Sequence, residues 1–155
     1  MIKQVKTREY KLVCLRECPS PETLALGETP EKIHNYFSTE MVKHVAYNPD
    51  VENFFVVLLN SRRKIIGHLL ISNGTLDTIL VHPREVFRAA ILANASAIVL
   101  LHNHPSGEST PSDADIKCTR DLIRAGQCLK IEVVDHIVTG HQRYSSLREL
   151  GHFYN

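Results

Sequence analysis

Tryptophan is absent from this chain of 155 residues, methionine occurs twice and cysteine four times. Cys14, Cys18, Cys118 and Cys128 form no C-x-x-C pair and lack zinc-finger spacing, so free thiols packed as small apolar groups are expected. No apolar run approaches the ~20 residues of a membrane span. The first nine residues carry charge where a signal peptide needs an apolar stretch, so the expectation is a soluble, cytoplasmic chain. Net charge is missing as well: 18 Lys and Arg stand against 17 Asp and Glu, leaving +1. That balance speaks against a strongly basic nucleic-acid binder and against an acidic tail protein. What is present is ordinary globular material, 43% hydrophobic and 23% charged, in a length that suits one domain without disulfide staples. The one residue type in excess is histidine, with nine copies.

The chain alternates strand and helix signals. A short strand is expected over 10–14, then a Pro-rich connection, then a helix with Thr29 as N-cap and Pro30 at its first position, running to about Val45. Residues 47–50 carry turn chemistry. From Glu52 the texture changes to a buried strand over 54–59, a turn at 60–63 and a second strand over 64–71. Asn73-Gly74 reads as a hairpin turn into a strand over 75–80. A helix over 83–94 shows Val86, Phe87, Ala90 and Ile91 on one face, and residues 97–101 are a continuous apolar run suited to a sheet centre. A Pro/Ser/Gly-rich loop leads to a helix over 112–129, a strand over 131–139, a turn, and a last short helix opened by Ser146. The pattern predicts an α/β (α+β) fold with helices on both faces of a sheet. Residues 1–50 read as an N-terminal extension and 51–155 as the main domain.

Chemistry concentrates between Leu101 and Asp115. His102 and His104 end the apolar strand two residues apart, so both imidazoles point to one face at the strand's C-terminal edge, where open α/β sheets place ligands. Ser112 and Asp115 have the spacing of a capping box opening the next helix, and the helix dipole favours an ionised carboxylate there. Taken alone, Asp115 reads as a helix-cap residue. Two imidazoles and a carboxylate together make a three-ligand set that leaves a fourth tetrahedral position open, the form of a catalytic zinc site.

The run His102, His104, Pro105, Ser112 and Asp115 resembles the JAMM signature of JAB/MPN metalloproteases. The local text of residues 102–107, with 81–87 upstream and 135–138 downstream, is similar to the RadC branch of that superfamily. The likeness covers roughly residues 52–151. No helix-hairpin-helix segment of the longer RadC proteins is visible in 1–50, which makes the chain look like a short stand-alone form. The resemblance implies a JAB/MPN, cytidine-deaminase-like sheet and Zn2+ held by His102, His104 and Asp115. It further implies a general-base glutamate some fifty residues before the H-x-H. Glu52 fits that position, with Glu85 as the alternative. Ser112 would donate to the oxyanion, and the reaction would be hydrolysis of a peptide or isopeptide bond by an activated water.

Asp135 and His136 recur in the RadC pattern and are candidates for orienting the centre, although a satisfied core histidine accounts for His136 equally well. His34, His44, His68, His141 and His152 need no special role, and His82 reads as a helix-entry residue. The expected partner is a polypeptide, an extended tail received by β-addition, with no membrane. The RadC label also raises DNA or DNA-repair proteins as partners in a non-enzymatic role. Only residues 62–64 form a basic cluster for that. An HNH nuclease needs its residues dispersed over a ββα unit. A zinc deaminase needs H-x-E and P-C-x-x-C, which are missing.

Overall fold

The computed structural model describes residues 29–74 and 81–153. The strands expected over 10–14 and 75–80, and Cys14 and Cys18, lie outside the described residues. Among the described residues five strands form one sheet in the order β2-β1-β3-β4-β5. They are β1 (Glu52–Leu59), β2 (Ile65–Gly74), β3 (Ala97–Asn103), β4 (Glu132–Thr139) and β5 (Tyr144–Ser146). β1 pairs antiparallel with β2 and β3, β3 pairs parallel with β4, and β5 returns antiparallel along β4.

Alternation along β1 and β3 sorts their side chains onto two buried faces, as a central strand requires. Phe55, Val57 and Leu59 join Val99 and Leu101 beneath α1 (Pro30–Thr39), which contributes Ile33, Tyr36 and Phe37. Phe54, Val56 and Leu58 join Ile98 and Leu100 on the other face. There they meet Val86, Phe87 and Ala90 of α2 (Pro83–Leu92) and Leu122 of α3 (Asp113–Leu129). Each fully buried Val, Leu, Ile or Phe among them contributes about 1.5–3 kcal/mol relative to exposure. The expected mixed fold with helices on both faces is therefore present, and residues 33–41 share a core with β1, β3 and β4.

Local differences have identifiable causes. α1 stops at Thr39 rather than near Val45: Ser38 and Thr39 turn their hydroxyls back onto the carbonyls of His34 and Asn35. The chain then makes a 3₁₀ turn, Met41–Lys43, that drives Met41 into the core. Asn73-Gly74 is not a turn, because β2 runs through both residues in register with Asn53 and Glu52. Ser146 opens no helix. Its backbone closes β5 against Ile137, while its hydroxyl donates to Asp135 Oδ2 (2.6 Å) and accepts from Glu149 N (3.0 Å). A single turn follows, ended at Gly151 with φ of 83°. Among the described residues no helix is long and apolar enough to cross a membrane.

Candidate metal centre

The end of β3, the start of β1 and the first turn of α3 meet at one edge of the sheet. His102 is wholly buried and His104 is half-buried one strand repeat further on. α3 begins at this edge because it runs back across the sheet between parallel β3 and β4. Its N-cap is the capping box foreseen from the spacing. Asp115 N donates to Ser112 Oγ (3.2 Å), and Ser112 N donates to Asp115 Oδ2 (2.7 Å). The Asp115 carboxylate is thereby held at the two imidazoles, with Oδ1 3.2 Å from His102 Nε2 and Oδ2 3.5 Å from His104 Nε2. The two Nε2 atoms are 3.0 Å apart. One ligand atom from each of His102, His104 and Asp115 lies within 4.8 Å of the others, and the trio could hold a metal ion.

The donor chemistry fits such an ion. His104 Nδ1 is 2.8 Å from the carbonyl oxygen of Glu108, which only accepts, so Nδ1 carries the proton and Nε2 is left for ligation. Burial opposes ionisation of Asp115, but hydrogen bonds from His102 and His104 outweigh it and hold the carboxyl far below the usual range. The hydrogen bond to Asp115 raises His104 against the opposing effect of its burial, with the Glu52 carboxylate adding to the rise. A buried carboxylate facing two imidazoles is a cation-binding arrangement.

A model of the RadC-like JAB domain matches residues 27–152. The chain belongs to the RadC-like JAB domain family. Its relatives include a UPF0758 protein of Caldanaerobacter subterraneus subsp. tengcongensis, 46% identical over 125 residues, which cover 81% of this chain and 52% of that one. Another, from Staphylococcus haemolyticus, is 52% identical over 102 residues, covering 66% of this chain and 45% of the relative. A third, from Staphylococcus carnosus, is 42% identical over 135 residues, covering 87% and 58% respectively. The chain thus spans about half the length of the curated relatives it matches.

In this RadC-like domain Glu52 heads β1, half-buried. Phe54 is paired with His102, so continuing that register two residues sets Glu52 opposite His104, on the face that carries both histidines. Its effect on His104 is the electrostatic sign of that proximity. Glu85, by contrast, sits in the first turn of α2 and bonds Arg88 (2.9 Å) and Arg84 (3.6 Å) at the surface. The Ser112 hydroxyl donates to Asp115 Oδ2 (2.8 Å), so its proton orients the carboxylate. Asp135 faces away from His136. Its carboxylate accepts from Ser146 Oγ (2.6 Å) and from the backbone N–H groups of His136 (2.7 Å) and Arg148 (3.1 Å). Burial raises the Asp135 carboxyl in spite of these partners. His136 itself is wholly buried with Nε2 2.8 Å from His102 Nδ1, and burial holds it well below the ordinary histidine range. Burial, with the nearby Asp115 and Asp121, pushes the Cys118 thiol up to about 12, which disfavours a thiolate there.

Two features had no sequence signal. Asn103, between the two histidines, faces the opposite way and its Oδ1 accepts from both N (2.9 Å) and Nδ2 (2.9 Å) of Asn53, the neighbour of Glu52. Asn103 Nδ2 in turn donates to Val51 O (3.0 Å). Thr119, mid-way along α3, is wholly buried against His136.

The loop after His104 is braced on the β4–β5 turn: His104 N donates to Thr139 O (2.8 Å), and His141 N to Gly107 O (2.9 Å). A Cβ at Gly140 would collide with the carbonyl of Gly107. Gly140→Ala is expected to destabilise the domain by about 1–3 kcal/mol, read as a lower denaturation midpoint with an unchanged slope.

Metal affinity should also depend on pH. With His104 raised, a proton competes for Nε2 up to higher pH than for a free imidazole, while Asp115 stays ionised. Affinity of the trio for a divalent ion should therefore rise with pH, by about tenfold per pH unit for each proton displaced. Competition against a chromophoric chelator between about pH 6 and about pH 8 checks this, and a flat profile contradicts it.

Proposed function

We propose that this chain is a zinc-dependent hydrolase of peptide or isopeptide bonds, with His102, His104 and Asp115 as the metal ligands. The observation that carries the reading is the convergence of those three ligand atoms at the end of β3, with Glu52 brought beside them from β1. Zinc bound there would supply a Lewis acid and a water that ionises near neutral pH. Glu52 would take the proton from the attacking water and return it to the leaving amine. Ser112 would turn its hydroxyl from Asp115 Oδ2 towards the oxyanion, since that oxygen keeps the Ser112 N–H as partner. Burial of His102 and Asp115 keeps bulk water from weakening these interactions.

The substrate assigned here is an extended polypeptide tail. An extended chain can add to a sheet edge, and β2, one strand from Glu52, stands at an edge of the described sheet. The DNA-associated reading has less support. Residues 62–64 lie at the β1–β2 turn, the other end of β1 from Glu52, and Arg63 is paired with Glu132. The test compares protein N- and C-termini in cells carrying the wild-type chain or Glu52→Gln. New termini confined to wild-type cells are expected. Identical termini in both, together with steeply salt-dependent DNA binding that survives zinc removal, would favour the DNA role.

A further inference from the structure

We propose that Thr119 is a positioning residue that decides which nitrogen of His102 is free for the metal, acting through His136. The inference rests on the reading of His102, His104 and Asp115 as a metal centre. Three contacts run in series from α3 through β4 to β3. Thr119 Oγ1 is 2.6 Å from the backbone carbonyl oxygen of Asp115 and 2.6 Å from His136 Nδ1, and His136 Nε2 is 2.8 Å from His102 Nδ1.

Each contact needs one proton, and the groups can supply them in only one order. The Asp115 carbonyl has none, so Thr119 must donate to it. Thr119 then has no proton left, and His136 must donate to it from Nδ1. His136 is wholly buried and therefore neutral, so its Nε2 is bare and must accept from His102 Nδ1–H. That commits His102 Nδ1–H to His136 and makes Nε2, on the side that faces Asp115 Oδ1 and His104 Nε2, the nitrogen available to a metal. The opposite arrangement would put a proton on the ligating nitrogen. Direction is thus imposed where the series starts, at a backbone carbonyl that cannot donate. Asp115 serves twice, its carboxylate as a ligand and its carbonyl as the fixed end of the relay.

Thr119→Val keeps the branched shape but removes the hydroxyl. His136 then loses the acceptor for Nδ1–H and should move its proton to Nε2, which forces the His102 proton onto its own Nε2. Zinc affinity, measured by chelator competition, should fall about 10–100-fold, and Thr119→Ser should restore it. Long-range nitrogen–proton NMR correlations of the metal-free wild-type chain should show Nδ1 protonated in both His136 and His102, with His136 Nε2 bare. A His136 proton on Nε2 in the wild type overturns the relay, as does wild-type zinc affinity in Thr119→Val. The wild-type spectrum decides the matter even where Thr119→Val fails to fold. A wild-type chain that binds no zinc removes the metal reading, and the tautomers still decide the relay separately.

Discussion

Glu52→Gln should leave zinc in place and lower hydrolysis by about 10²–10⁴-fold, the usual worth of a positioned general base. Glutamine preserves the size of the side chain and the start of β1, so neither the ladder to β3 nor the three ligands need move. What it loses is the capacity to take a proton. Paired measurements separate the roles: zinc content of purified protein, and release of new amines from a polypeptide substrate. Retained zinc with lost hydrolysis is the expected pair. If Glu85→Gln gives that pair and Glu52→Gln does not, the base is misassigned. The contacts of Glu85 with Arg84 and Arg88 at the surface make that outcome hard to reconcile with the fold.

His102→Ala should have the larger effect on metal. Wild-type protein should carry about one zinc per chain, and binding at about a thousand times the dissociation constant adds about 4 kcal/mol of stability. For a domain of this size that is a rise in melting temperature of roughly 8–16 °C. The variant should show neither stoichiometric zinc nor that rise. It should also be less stable without metal, because His136 Nε2 and Asp115 Oδ1 lose their partner inside the protein, at about 1–3 kcal/mol for each buried polar group. Stoichiometric zinc in His102→Ala would sink the ligand assignment.

The centre was legible in sequence where local rules act alone. Two histidines two apart at the end of an apolar run must share a face, and Ser112 with Asp115 must cap a helix that follows a Pro/Gly loop. Both statements hold without knowing what packs on them. The parts that were not legible depend on partners far along the chain. Thr119 is one threonine in a helix until β4 brings His136 against it. Asp135 looks like a carboxylate for the neighbouring imidazole, yet alternation on β4 sends it to the other face, where Ser146 and Arg148 wait. Ser146 carries a helix-opening hydroxyl, and pairing with β4 claims its backbone first. Asn73-Gly74 carries hairpin chemistry, and the ladder to β1 overrides it.

The bond between Asn53 and Asn103 divides responsibility in the molecule. The spacing between Glu52 at the start of β1 and the two histidines at the end of β3 is held by the sheet ladder and by that buried amide pair. Residues 105–111 bear on it only through their backbone, with the Glu108 carbonyl on His104 Nδ1 and the Gly107 N–H on the His104 carbonyl. Side-chain substitutions in that loop that leave Gly107 seated on Gly140 and the Glu108 carbonyl on His104 should therefore leave the ladder and the amide pair undisturbed. The loop's side chains can thus vary while the two strands keep their spacing.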